Sequence, residues 1–356
     1  MIFVHLLNDA SGSPRVLESV ISAIGRRSND KLYLGSGGNG PLQHVGIPVA
    51  RFPYHRSRFR LITLTTYLLS QITLFLGLLI RKENKSHSLI YINTALPFAA
   101  AIYGRLFGMR VVYHLHEVSI APRLLQSFLW SIVKLTADEV RYVSEFHRES
   151  VNLGSQESKV VYNAVREEFS PDIKPNKSDI GDQPFKVYML ASARDYKGIP
   201  EFITLAKNTI NVEAVTYHLV LNDEPAATEA YIRSIGSTPS NVDVLSRSID
   251  VLGFYKDADV VLNLSRPSEW VETFGMTLLE AMACGVPVIC PTVGGPVEVL
   301  GEDLAEFCID GTDTSALAQM IQKLASQSEF YSDVSQRCLA RAAHFSWANF
   351  EQAVKS

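Results

Sequence analysis

Residues 265–300 read SRPSEWVETFGMTLLEAMACGVPVICPTVGGPVEVL. They follow Val260–Leu264, an apolar run of strand length. The pattern predicts a helix that begins near Gly275–Thr277 and stops at Gly285, because glycine takes the left-handed conformation that closes helices. A helix start offers N–H groups without intrahelical partners and a partial positive charge, which is a seat for a diphosphate. Gly275 lets the backbone come close to such a group. Glu280 lies about a turn inside, and helical side chains lean toward the amino end. A carboxylate only accepts hydrogen bonds, so a vicinal diol such as that of a ribose suits it. For an isolated pair of glutamates the plainer reading holds, with Glu272 favoured by the helix dipole and Glu280 solvated.

Outward from this stretch, strands and helices alternate. Strands are expected at Ile2–Leu7, Leu32–Leu34, Leu89–Ile92, Val111–Leu115, Glu139–Val143 and Val160–Tyr162, then at Lys186–Leu190 and Tyr217–Leu221. Val16, Leu17, Val20, Ile21 and Ile24 recur with helical period behind Ser13 and Pro14, read as N-cap and first helical residue, and Gly25 closes the helix. Helical patterns also cover Pro97–Phe107, Leu124–Leu135 and the stretch from Pro200, and Trp347, Phe350 and Val354 share one face of a last helix. Such alternation predicts an α/β chain with parallel sheets covered by helices. At 356 residues it suits two domains. The polar, proline-bearing residues 166–185 separate a first domain, 1–165, from a second, 186–340, with a helix at 341–356. In open sheets of this class, ligands bind at the carboxyl ends of the strands, so functional residues are expected in the loops that follow them.

Composition narrows the class. A 47% apolar and 20% charged mix is that of a soluble globular chain, and the net charge of −4 excludes a global nucleic-acid footprint. Cys284, Cys290, Cys308 and Cys338 form no C-x-x-C pair, as expected of reduced thiols in a cytosol. Ile2–Leu7 has neither a basic leader nor a cleavage site, so it does not read as a signal peptide. Leu61–Ile80 is long and apolar, yet its threonines, Tyr67, Ser70 and Gln71 make it a poor lipid-facing span and favour a buried or surface-docked helix.

The string Glu272-Thr273-Phe274-Gly275-Met276-Thr277 through Glu280, followed by Gly285-Val286-Pro287 and Gly294-Gly295-Pro296, resembles the donor-site segment of the retaining glycosyltransferases of family 4 (glycosyl transferases group 1, E-x7-E motif). Their GT-B fold sets two Rossmann-like domains facing an interdomain cleft. Other segments resemble the same family. Ala193-Arg194-Asp195-Tyr196-Lys197-Gly198 is similar to its Arg…Lys-Gly pair, with Ala193 where glycine is common. His116 resembles its cleft histidine, although His114 shares that sheet face. Ser11-Gly12-Ser13-Pro14 resembles its small-residue loop, and a tight turn explains the loop almost as well. Tyr162-Asn163-Ala164-Val165 resembles its Asn-Gly-Val motif, with Ala164 in place of glycine, and Phe345-Ser346-Trp347 matches its late Phe-Ser-Trp signature.

The resemblance implies transfer of a hexose-type unit (EC 2.4) from a UDP- or GDP-sugar to a lipid-linked or soluble glycan, often with an α-linkage. It implies a role in surface polysaccharide synthesis, of O-antigen, capsule or exopolysaccharide. Catalytic roles fall to His116 and Glu272, and donor binding to Gly12, Ser13, Arg194, Lys197, Gly198, Phe274, Gly275, Met276, Thr277 and Glu280. No metal or cofactor is implied, and Asp257-Ala258-Asp259 reads as a helix end leading into a strand. The expected location is cytoplasmic, with residues 56–85 seating the chain on an anionic inner membrane face; a core helix with solvated ends is the alternative. An epimerase or hydrolase of the same architecture would convert the donor without acceptor. A non-catalytic glycan-binding scaffold would tolerate loss of Glu272 or Lys197.

Overall fold

The computed structural model describes residues 1–9, 11–25, 27–154, 157–169, 184–209, 215–248 and 250–356, with the side chains of Arg60 and Glu167 also set aside. The chain divides into two compact units, Met1–Asn163 with Phe350–Ser356, and Ala164–Asn349.

Among the described residues the first unit carries seven parallel strands: β1 (Ile2–His5), β2 (Lys31–Ser36), β3 (Val49–Pro53), β4 (Leu89–Asn93), β5 (Arg110–His114), β6 (Glu139–Tyr142) and β7 (Glu157–Val160). Their order is β3-β2-β1-β4-β5-β6-β7. The inner strands are buried on both faces, which is why they read as unbroken apolar runs. The second unit carries β8 (Phe185–Ala191), β9 (Val215–Leu221), β10 (Val242–Leu245), β11 (Val260–Leu262) and β12 (Val288–Ile289), also parallel and ordered β10-β9-β8-β11-β12. Each sheet reverses its winding once, between β1 and β4 and between β8 and β11. Loops leaving the carboxyl ends of such neighbours part to opposite faces and leave a crevice.

Several boundaries differ from expectation. The strand expected at Val160–Tyr162 lies at Glu157–Val160, because this edge strand is largely exposed and tolerates polar residues, while Val161 is buried just beyond it. The sequence pattern also passes over β3, β10 and β12, two half-exposed edge strands and one of only two residues. The first helix is Gly12–Ile24 with Ser11 as N-cap, two residues earlier than Ser13–Pro14 suggested. Pro14 is tolerated there because first-turn N–H groups have no helical partner in any case. Residues 170–183, most of the expected linker, lie outside the described residues. The part that is described is not loose. Phe169 is fully buried and meets the Tyr255 ring at 5.6 Å.

The helix Arg60–Ile80 is not a core helix. Tyr67, Ser70, Gln71, Leu74 and Leu78 form one buried stripe at helical period, and Leu61, Leu68, Leu69, Ile72, Leu76 and Ile80 face outward. The four cysteines are unbridged.

Candidate active site

The loop after β8 is wound tightly by its own backbone. Lys197 N–H donates to the Arg194 carbonyl at 3.0 Å and Gly198 N–H to the Asp195 carbonyl at 2.9 Å. Gly198 then adopts φ +86, and a β-carbon there would lie 2.1 Å from the Leu264 carbonyl oxygen, so only glycine lets this turn pack on the β11 loop. Arg266 fastens the two loops further. Its N–H donates to the Tyr196 carbonyl at 2.8 Å, and its guanidinium reaches Glu201 at 2.6 Å and Glu269 at 2.9 Å.

So arranged, Lys197 Nζ sits 2.5 Å from Glu272 Oε2 and 5.5 Å above the ring of Trp270, which stacks on Tyr196. The loop bearing Glu272 is held from behind: Gly295 N–H donates to the Glu272 carbonyl at 2.9 Å, and a β-carbon on Gly295 would lie 2.1 Å from the Thr273 oxygen. The Gly294-Gly295 pair is therefore more than a connection, since any side chain on Gly295 would push the Glu272 loop away.

Gly275, at φ +102, caps the helix Met276–Ala283. Leu278 and Leu279 N–H return to the Gly275 carbonyl, leaving the Met276 and Thr277 N–H groups as first-turn donors with no partner inside the helix. Both residues are half-buried. Phe274, expected at the donor, has its ring inside, packed edge-on against Phe345 at 5.7 Å. Its contribution is to the shape of the loop. Arg194 stays exposed with its guanidinium on the Ala193 carbonyl at 2.7 Å, apart from the Lys197–Glu272 pair.

Glu280 is 6% exposed. Oε1 accepts from Arg166 at 3.0 and 3.2 Å, and Oε2 accepts from the Tyr255 hydroxyl at 2.8 Å. Burial and the Glu280 charge keep the Tyr255 phenol protonated, so it remains a donor. A carboxylate has about four lone-pair directions, so these bonds orient it without exhausting it. Sequence reasoning passed over Arg166, Tyr255 and Trp270, which have no local motif to mark them. Asp257 pairs with Lys186 and the Tyr188 hydroxyl, and Asp259 accepts from Lys186 N–H at 2.8 Å, so both carboxylates brace the sheet at the amino end of β11.

In the first unit, His114 is fully buried at the end of β5, its Nδ1 2.9 Å from the Tyr91 hydroxyl. His116 lies two residues beyond the strand, half-buried, with Nε2 2.9 Å from Asn93 Oδ1. Burial, followed by the neighbouring His114, His147 and His5, holds its pKa well below the usual imidazole value, so the ring is neutral near pH 7. Gly12 is exposed and Ser13 half-buried at the start of the first helix.

The family model for glycosyl transferases group 1 matches residues 171–339. Over 98 residues, 28% of this chain and 21% of the relative, the sequence is 33% identical to a D-inositol 3-phosphate glycosyltransferase of Salinispora arenicola. Over 106 residues, 28% of this chain and 27% of the relative, it is 34% identical to O-antigen chain mannosyltransferase B of Escherichia coli. In these matches the chain spans about a quarter of each relative's length. The crystal structure of Anabaena HepE in complex with UDP and glucose superposes with a TM-score of 0.80 at 20% identity, over 99% of this chain and 97% of that one. The stretch 171–339 is thus similar to the glycosyl transferases group 1 family, and the two parallel α/β sheets have the GT-B fold of the superposed structures.

Proposed function

We propose that this chain is a retaining glycosyltransferase that moves a hexose from a UDP- or GDP-sugar to a lipid-linked or soluble glycan during surface polysaccharide synthesis. One observation carries the reading. The Lys197 ammonium and the Glu272 carboxylate meet at 2.5 Å where the winding of the second sheet reverses, and the helix start at Gly275 follows Glu272 directly in the chain. Similarity to the O-antigen chain mannosyltransferase of Escherichia coli and to the UDP-bound Anabaena structure supports the acceptor and donor classes.

In this reading the Met276 and Thr277 N–H groups and Lys197 take the diphosphate, with Arg194 joining from the surface. They neutralise charge on the departing nucleotide without a metal. Glu272 holds sugar hydroxyls near the anomeric carbon, and Glu280 the ribose diol. The acceptor hydroxyl enters on the face the nucleotide leaves, so configuration is retained, and His116 serves the donor sugar and that hydroxyl. A thermal-shift screen against UDP-glucose, GDP-mannose and ADP-glucose tests the donor. A true donor at about 100 times its Kd stabilises the folded state by about 2.7 kcal/mol. Unchanged unfolding with all three would sink the proposal.

The cell location we propose is the cytoplasmic face of a membrane. The outward side chains of Arg60–Ile80 form an apolar strip flanked by exposed Arg56, Arg58, Arg81, Lys82 and Lys85, a pattern suited to anionic headgroups. The buried stripe of the same helix is committed to the protein core, which favours lying on a bilayer over crossing it. Flotation with vesicles rich in anionic lipid should recover the protein. A Leu68→Glu/Leu69→Glu/Ile72→Glu variant should bind more weakly by on the order of 10²-fold, from the lost apolar burial. Equal recovery of the two would rule this surface out.

A further inference from the structure

We propose that Asn93 is a positioning residue for His116: its amide dictates which imidazole nitrogen carries the proton and ties the ring to the Gly12–Ser13 turn. The inference rests on the role of His116 given above.

Asn93 ends β4, the strand beside β1 where the first sheet reverses its winding, and is fully buried. Its Nδ2 lies 3.0 Å from the Ser13 carbonyl oxygen. A carbonyl can only accept, so the amide nitrogen must face Ser13 and the amide oxygen must face His116. At 2.9 Å from that oxygen, His116 Nε2 has to donate. A neutral imidazole carries one proton, so Nδ1 is left as an acceptor. Among the described residues Nδ1 has no hydrogen-bond partner.

The second amide hydrogen closes the network. His5 faces two carbonyls, Leu7 at 2.9 Å from Nε2 and Asn93 at 3.3 Å from Nδ1; a neutral ring serves the shorter contact, so Nε2 donates to Leu7 and Nδ1 accepts from Asn93 Nδ2 at 3.1 Å. Burial keeps His5 neutral as well. The three side-chain bonds of Asn93 thus share one polarity, running from His116 through the amide to Ser13 and His5. Of the groups around the ring, the His114 ring at 4.8 Å, His147 and His5 all oppose a charge on His116; Glu117, whose Oε2 accepts the His116 backbone N–H at 3.2 Å, is itself pushed toward the neutral acid by burial. Thr94, next to Asn93, is held at φ +76, where a β-branched residue is strained by roughly 1–3 kcal/mol. Such strain persists where surrounding structure over-determines a local geometry.

The consequence is chemical. With Nε2–H committed to Asn93, the His116 nitrogen left over can accept a hydroxyl proton or hydrogen bond but cannot give one. Asn93→Ala removes that constraint. Asn93→Asp keeps an acceptor for His116, loses both donations and favours the imidazolium, which turns Nδ1 into a donor.

Histidine-selective ¹⁵N NMR on the full-length protein tests the assignment without any substitution at Asn93, the His116 signals being identified by their loss in His116→Gln. The expected spectrum shows Nε2 protonated and Nδ1 bare at neutral pH, with the ring taking up its second proton only below the ordinary imidazole range. Asn93→Ala should mix the tautomers and lower kcat by on the order of 10–100-fold. Its donor KM should change far less. Asn93→Asp should add an acidic limb to the pH–rate profile that the parent lacks. A His116 protonated on Nδ1 in the parent, or an Asn93→Ala protein with parental kcat and parental His116 signals, would overturn the proposal. Unchanged transfer by His116→Ala would instead overturn the assignment of His116, and with it the kinetic role given to Asn93.

Discussion

Lys197→Ala is expected to lower kcat for sugar transfer by on the order of 10²–10³, the usual cost of removing one preorganised group from developing negative charge. The resting geometry sharpens the expectation. Lys197 and Glu272 neutralise each other at 2.5 Å, both largely shielded from solvent. In the proposed mechanism an arriving diphosphate takes a share of the ammonium's charge, which releases Glu272 toward the sugar. Alanine at 197 removes the cation and also leaves Glu272 to repel the diphosphate. Lys197→Ala/Glu272→Gln should therefore lose less than the sum of the single losses, and a double-mutant cycle of single-turnover rates measures the coupling. Lys197→Arg should retain part of the rate, because the charge remains while its geometry changes. A Lys197→Ala protein with parental kcat would remove the ammonium from the mechanism.

The parts of this molecule legible in its sequence are those whose physics is local. Buried parallel strands announce themselves as apolar runs, so β1, β4, β5, β8 and β11 stand close to where the pattern puts them. Edge strands do not: β7 runs through the polar Glu157, Ser158 and Lys159, ahead of the apolar Val160–Tyr162 where the strand was expected. The helix start at Gly275 was legible because glycine, the apolar helical stretch that follows and the closing Gly285 lie close together in the chain. What holds Glu280 was not, since Arg166 stands 114 residues away and Tyr255 lies on a different element. Asn93 is similar: its partners Ser13 and His116 are brought to it by the sheet order, and no spacing rule connects them. Hydrophobicity alone also did not reveal that Arg60–Ile80 buries one stripe and exposes the rest. The winding reversal explains both outcomes. It gathers the loops after β1 and β4, and those after β8 and β11, so loop residues are predictable as a group while their individual partners are not.

Acid should destabilise the first unit well before its carboxylates titrate. His114 and His147 are both fully buried. Burial, with Arg141 next in effect, lowers His114 from 6.5 to about 3, and burial lowers His147 to about 4. Below pH 6.5 the unfolded chain takes up protons that the folded unit refuses, so stability is full above that pH and falls as the pH drops toward the folded values. Between pH 7 and pH 5 each histidine should cost about 2 kcal/mol, roughly 4 kcal/mol together, against a domain stability of about 5–15 kcal/mol. Glu117 acts in the opposite sense. Burial raises its pKa, so it gains protons on folding and offsets part of the loss. Substitution separates the contributions. In His147→Gln the amide can still donate to the Glu117 carbonyl that His147 Nε2 meets at 3.0 Å, but nothing titrates there. Urea unfolding of the full chain, read at pH 7, 6 and 5, should show the first transition of the parent moving to lower denaturant. In the variant the slope between pH 6 and pH 5 should be shallower by about 1.4 kcal/mol per pH unit. A parental transition that does not move between pH 7 and pH 5 would mean that His114 and His147 accept protons in place, and that the wall of the His116 site is wetter and looser than its packing indicates.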